Sequence, residues 1–195
     1  LIKILCGLTK KTSGSIKINS LDIDKDIDKI KEIVDISPQE TSVANNLTVQ
    51  ENLEFFAGVY NKTDKEGIAQ IVKVFNLTEV LNQKAKTLSG GYQRRLSIAI
   101  ALISEPKILF LDEPTLGLDV ISRRELWKII NKLKNKMTII LTSHYLEEVE
   151  HLCDRVAILS KGKILRVGTV DELNKLTNSD SLEDTFIKLM EAENE

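Results

Sequence analysis

Two unbroken apolar runs constrain this chain most. Ile108-Leu109-Phe110-Leu111 and Met137 to Thr142 are each long enough for a strand, and neither alternates apolar with polar residues. A strand that is apolar on both faces has to be covered on both faces, which is the habit of parallel strands joined through helices. Between the two runs, Leu126, Ile129, Ile130 and Leu133 recur at helical spacing. Strand, helix, strand predicts an α/β fold with a mostly parallel sheet flanked by helices. Ile33 to Ile36 supplies another short apolar strand, ended by Ser37-Pro38, and Ser15 to Ile18 one more, entered through Ser13-Gly14.

The helical stretches sort into two groups. Thr48 reads as an N-cap with Glu51 three residues on, a capping box. Ile68, Ile71, Val72 and Phe75 share one helical face, and the block 45–88 reads as an all-helical subdomain inserted into the α/β core. A long helix over about 92–104 is apolar on most sides, which predicts deep burial. Val156 to Leu159 and Ile164 to Val167 flank Ser160-Lys161-Gly162-Lys163, a hairpin-like turn. Leu182, Phe186, Leu189 and Met190 give a final amphipathic helix. The expected organisation is a single domain: an α/β core of 1–44 and 89–170, the helical block, and a C-terminal helical extension over 171–195. Residues 1–7 read as the tail of a helix stopped by Gly7, and an opening at full helical stride without Met carries the expectation that an N-terminal part of the gene product is absent.

Composition narrows the function classes. The 195 residues are 42% hydrophobic and 29% charged, an ordinary globular balance, and the formal net charge of -2 lacks the basic surplus of a nucleic-acid binder. No nucleic-acid partner is expected. No apolar run approaches the roughly 20 residues that span a bilayer, and no signal peptide is seen. Cys6 and Cys153 lie in no metal-ligand spacing and read as buried thiols.

The chemistry begins at Asp112-Glu113, which follow the strand 108–111 directly. Ligands of open α/β sheets bind at the carboxyl ends of strands. There a carboxylate can hold Mg2+, and a neighbouring Glu can take a proton from an attacking water. Leu88-Ser89-Gly90-Gly91 stands immediately before the buried helix, where free backbone N–H groups and the helix dipole suit an anion. His144 follows the strand 137–142, in Leu141-Thr142-Ser143-His144, and can hydrogen-bond a γ-phosphate. Gln39 follows Pro38 after the strand 33–36, and its amide oxygen can reach Mg2+ or water. Asp119, in Leu116-Gly117-Leu118-Asp119, completes the set. Taken singly, each has an ordinary structural explanation: solvated acids, a capped turn, a structural imidazole, an exposed amide.

In this order and spacing the pieces resemble the ATP-binding-cassette (ABC) ATPases. Gln39 is similar to that family's Q-loop, Leu88 to Gly91 to its signature motif, and Ile108 to Asp112 to its Walker B strand, with Glu113 as catalytic base. Asp119 corresponds to the D-loop and His144 to the switch histidine. The resemblance covers essentially the whole chain. It implies a P-loop NTPase-like fold, ATP and Mg2+ as ligands, and two cassettes closing head to tail around two ATPs. Asp112 and Gln39 would support Mg2+, Glu113 would polarise the hydrolytic water, and His144 would sense the γ-phosphate. Ser89, Gly90 and Gly91 would grip the γ-phosphate held by the opposite subunit, and Asp119 would couple the two sites.

Two departures accompany the resemblance. Tyr92 stands where the signature has Gln, and the Gly-rich Lys-Ser/Thr phosphate loop is not among the 195 residues. The family places that loop just before a helix reading much like Leu1 to Leu8. The N-terminal strands and the loop are therefore expected to lie upstream, and these residues alone are expected not to hydrolyse ATP. Ser143 to Glu150, Cys153-Asp154-Arg155 and Ser181 to Phe186 resemble the exporter branch that includes drug, sodium and polysaccharide exporters. That branch implies a membrane permease partner, docked on the helical block 45–88. It also implies a second ABC ATPase subunit, identical or not, and a peripheral place on the cytoplasmic face of the cell membrane. The Lys-, Ile- and Asn-rich composition suggests a bacterial source. Soluble ABC proteins acting on ribosomes or DNA carry tandem cassettes, coiled coils or basic linkers, and none is visible. Intact Glu113 and His144 argue against a non-enzymatic cassette.

Overall fold

A computed structural model describes residues 1–62 and 65–193. The chain divides into two compact units, Leu1–Thr142 and Ser143–Glu195.

The first unit is built on three parallel strands, β3 (Val34–Ser37), β4 (Ile108–Asp112) and β5 (Thr138–Thr142), in the order β3-β4-β5. Val34 pairs with Ile108, and Ile108 with Thr138, so the strands run in step to a common carboxyl edge. Period-two alternation splits the side chains of β3. Val34 and Ile36 join Phe110 and Ile108 in a cluster with Ile2, Cys6, Ile18, Ile23 and Ile30. These come from α1 (Ile2–Leu5), the short antiparallel pair β1 (Lys17–Ile18) and β2 (Leu21–Asp22), α2 (Ile27–Lys31) and the residues between. Asp35 and Ser37 reach the other way, toward Ser104 and Ser97. β4 is thus covered on both sides, as its unbroken apolar run predicts: Leu109 and Leu111 are fully buried. β5 departs from that expectation. Among the described residues it pairs with a strand on one side only, and Ile140 is 40% exposed, the ordinary condition of an edge strand.

The buried helix is α5 (Gly90–Ala101), which starts two residues and ends three residues earlier than its apolar pattern suggests. Ser89 caps it and makes the two glycines its first turn. The pre-proline residue Glu105 takes a positive φ (55°), which turns the chain out before Pro106. Ser97 lies deep in α5 and shares a 3.0 Å hydrogen bond with Ser37. Beyond β4, α6 (Val120–Leu133) returns the chain to β5 and buries Leu126, Trp127, Ile129, Ile130 and Leu133.

Between residues 45 and 88 the described residues form helices and turns, with one isolated antiparallel bridge between Thr48 and Lys84. The Thr48/Glu51 capping box opens α3 (Val49–Val59). Asn52, fully buried, donates to the carbonyls of Ala44, Leu47 and Thr48 and accepts from the amide of Ala44. α4 (Lys65–Val74) buries Val72, and Phe75 just beyond it is fully buried.

The second unit holds α7 (Leu146–Leu152), the antiparallel pair β6 (Val156–Ser160) and β7 (Lys163–Gly168), α8 (Val170–Thr177) and α9 (Leu182–Ala192). Its core joins Val149, Ile158, Leu173 and Leu182. The β6–β7 turn has positive φ at both Lys161 and Gly162, the backbone of a type I′ hairpin, which explains the glycine. Lys188 closes the end of α8 by donating to the carbonyls of Thr177 and Asn178. No helix among the described residues is long and apolar enough to cross a membrane. Cys6 is buried, as expected, and Cys153 only partly so.

One polar knot ties the end of α3 to the sheet. Asp35 accepts from its neighbour's amide at Ile36 (2.7 Å), from Ser104 Oγ (2.8 Å) and from Tyr60 Oη (3.0 Å). Burial nevertheless raises its carboxyl above the ordinary range, and burial together with the Asp35 charge pushes the Tyr60 phenol up to about 12. The folded protein therefore binds the Asp35 proton more tightly than the unfolded chain does. Its contribution to stability is whole below about pH 4 and is lost as pH rises through the folded value. Asp35→Asn keeps an acceptor and adds a donor for the two hydroxyls. It is expected to raise the thermal midpoint at pH 7, with the gain fading as the pH falls through the folded value and gone by about pH 4. A variant melting lower than wild type at pH 7 would show that the carboxylate itself is wanted there.

Candidate functional site

The sheet register brings three of the motif residues to one edge. Asp112 ends β4 opposite Thr142, Ser37 ends β3 opposite Leu111, and Gln39 leaves two residues beyond. Thr142 orders the acids. Its hydroxyl donates to Asp112 Oδ1 at 2.6 Å and accepts from the amide of Glu113 at 3.2 Å, while its carbonyl takes the same amide at 3.1 Å. One hydroxyl thus fixes the Asp112 carboxylate through its donor and the Glu113 backbone through its acceptor. Glu113 has φ 49°, a left-handed backbone that costs a non-glycine residue about 1–2 kcal/mol. Such conformations persist where the surroundings enforce them and gather at functional sites.

Gln39 is exposed, but its backbone is held. Arg94, 4% exposed, donates through Nη1 to the carbonyl of Pro38 at 2.7 Å and through Nη2 to the carbonyl of Gln39. Burial lowers the Arg94 pKa, and the nearby charge of Asp112 acts in the opposite direction.

The signature residues form a second group. Ser89 accepts from the amide of Tyr92 at 3.4 Å as N-cap of α5, and Ser89 and Gly90 are exposed. Gly91 is buried against α6: a Cβ there would lie 2.7 Å from Ser122 Oγ and 3.0 Å from Ser122 Cβ. Ser122 Oγ in turn donates to Asp119 Oδ2 at 2.6 Å, and Asp119 Oδ1 accepts from the amides of Ile121 and Ser122. Hydrogen bonds from Ser122 and Ile121 hold the Asp119 carboxyl below its usual range. The glycine turn and Asp119 are thereby joined through a single serine. Tyr92, in the place of the family's Gln, stacks under the Arg95 guanidinium at 4.9 Å, and Arg95 pairs with Glu125 of α6. His144 stands at the start of the second unit, its ring tilted against Tyr145 at 4.2 Å.

Arg94 and Thr142 were not evident from the sequence. Arg94 lies in a helix whose pattern reads as core, and Thr142 reads as the last residue of an apolar strand. Only tertiary pairing gives either a polar partner. A threonine ending the strand next to two acids was the one available signal.

Among the described residues, no three His, Cys, Asp or Glu side chains cluster in a way that could hold a metal by themselves. Mg2+ is usually bound by one or two carboxylates together with substrate phosphates and water. With Oδ1 of Asp112 engaged by Thr142, its second oxygen and the Gln39 amide oxygen are hard donors that fit an ion arriving with a triphosphate.

Comparison with known proteins agrees with this reading of the fold. Residues 1–116 match the family model for ABC transporters, and the chain belongs to the ATP-binding domain of that family. Among curated relatives, it is 37% identical over 93% of its length to the linearmycin resistance ATP-binding protein LnrL of Bacillus subtilis, of which it covers 60%. It is 41% identical over 89% of its length to ABC transporter A family member 7 of Dictyostelium discoideum, of which it covers 21%. A solved ATP-binding subunit of an ABC transporter superposes with a TM-score of 0.83 at 26% identity, over 97% of this chain and 81% of that one. The chain spans 34% or less of the length of the first relatives it matches.

Thr142→Val keeps the branched shape and removes the hydroxyl. It is expected to lower the free energy of unfolding by about 1–2 kcal/mol, because Asp112 loses a charge-assisted hydrogen bond. Urea denaturation measures this; an unchanged midpoint would mean that the hydroxyl does not hold Asp112.

Proposed function

We propose that this chain binds and hydrolyses ATP as the nucleotide-binding part of an ABC transporter. In this reading two cassettes face each other, and each works on a membrane permease. The observation that carries it is the pair Asp112-Glu113 leaving the central strand, with Asp112 held by Thr142 and Gln39 leaving the neighbouring strand at the same edge. Ligands of open α/β sheets collect at that edge.

Asp112 and Gln39 would hold Mg2+, which when bound would neutralise charge on the phosphate oxygens. Glu113 accepts a proton from the attacking water, and its constrained backbone sets where the carboxylate begins. For His144, in the second unit, the motif resemblance alone suggests a hydrogen bond to the γ-phosphate. Ser89 and the amides at Gly90 and Gly91 receive the triphosphate of the facing subunit, since an exposed, capped helix start offers N–H groups and a favourable dipole. Asp119, fixed to the same helix pair through Ser122, carries the state of one site toward the other. Phe55 and Val59 on α3, 55% and 60% exposed, give the helical block an apolar surface suited to a permease, and the peripheral location follows from that partner. Export is the proposed direction; the Bacillus subtilis relative is a resistance protein, which supports it.

In the full-length protein with its permease, Glu113→Gln is expected to lower ATP turnover by about 10²–10⁴-fold while nucleotide binding persists. Turnover near wild type would remove Glu113 from the reaction. In P-loop NTPases phosphoryl transfer also relies on a Gly-rich Lys-Ser/Thr loop, and residues 1–195 contain none. A purified polypeptide of these residues alone is expected to show no magnesium-dependent phosphate release above buffer. Robust release would mean that the phosphates are held by another device.

A further inference from the structure

The geometry points to Arg94 as the positioning residue that sets the Gln39 backbone beside Asp112 and ties that loop to the glycine turn at the head of α5. The inference rests on the ATPase reading above for its consequences in turnover, though not for its structural content.

Three observations carry it. First, the guanidinium makes two bonds to consecutive carbonyls, those of Pro38 and Gln39, so it fixes the direction of the chain there and not merely one atom. A planar fork with parallel donors does this; a lysine ammonium, a point charge, does not. Second, Arg94 is almost wholly buried in a helix that is otherwise apolar on most sides. A buried cation is costly unless its surroundings answer it, and here two carbonyls and the field of Asp112 do so. A core position with no task beyond packing would be filled by an apolar residue. Third, the same strand end has a second buried tie to the same helix, Ser37 Oγ to Ser97 Oγ at 3.0 Å. Arg94 and Ser97 are one helical turn apart, so β3 and its loop are gripped along one face of α5.

The consequence concerns two sites. α5 starts at Ser89-Gly90-Gly91, the turn assigned to the facing subunit's nucleotide, and reaches Arg94 within its first turn and a half. A helix is stiff along its axis. Displacement of its head is therefore passed to the carbonyl of Gln39, whose side chain serves the chain's own Mg2+. Arg94 touches neither nucleotide nor metal, and it acts through Gln39. Partners of this outer kind typically alter metal affinity or activity by about 10–100-fold when removed.

The test is a double-mutant cycle in the full-length protein with its permease, reading half-saturating Mg2+ and kcat at saturating ATP. Arg94→Met is expected to raise the half-saturating Mg2+ concentration and lower kcat, each by about tenfold. Gln39→Ala is expected to do the same, and the double variant to be no worse than Gln39→Ala alone. Multiplying effects, or a lower kcat with Mg2+ dependence unchanged, would overturn the assignment. Arg94→Lys guards against misfolding: an intermediate Mg2+ shift supports the role, and a wild-type value overturns it. Hydrogen exchange over residues 38–44 in the nucleotide-free protein separates this inference from the ATPase reading. Faster exchange in Arg94→Met supports the clamp even if the wild type hydrolyses nothing, and unchanged exchange refutes it.

Discussion

In-step parallel pairing of three strands is the constraint on which the other arrangements depend. Parallel strands deliver their carboxyl ends to one edge, and a register without slippage brings Ser37, Asp112 and Thr142 to that edge within a residue of each other. A shift of β5 by one residue would turn Thr142 away and leave Asp112 without its donor. The half-buried Ile139 and Leu141 of β5 oppose that shift, because it would turn them outward and bring the exposed Ile140 inward. The core is therefore what aims the acids; they need little local machinery beyond one threonine.

The α5–α6 contact shows the same economy in a helical setting. Gly91 allows the two helix starts to approach until Ser122 fills the space a side chain would occupy. Ser122 is committed to Asp119, and Asp119 to capping α6. Three residues that look independent along the chain are one packed unit. The two polar links from β3 to α5, through Arg94 and Ser97, extend that unit into the sheet.

Local signals were legible in the sequence. The unbroken run 108–111 gave the central strand, the Thr48-Glu51 spacing gave a cap that forms as read, and the acids could be located from their place after a strand. Burial of α5 followed from its apolar pattern, but its first residue did not. Whether Ser89 caps the helix or sits in a turn before it depends on where the glycines go, and that is settled by the close approach to Ser122. Arg94, Thr142 and Asn52 escaped for a related reason. Each has partners in another element, or a loop, that no periodicity encodes, and a hydrogen-bonded polar residue inside an apolar pattern reads as noise. The exposure of Ile140 could not be read either, since an apolar run looks the same at the edge of a sheet as in its middle.

The left-handed torsion at Glu113 means that this residue is loaded like a sprung hinge. Most side chains prefer to relax out of such a torsion, so the peptide after β4 is pressed against the threonine that restrains it. The same torsion fixes where the chain leaves the strand, so the start of the acid's side chain is set by the backbone and not by a rotamer choice.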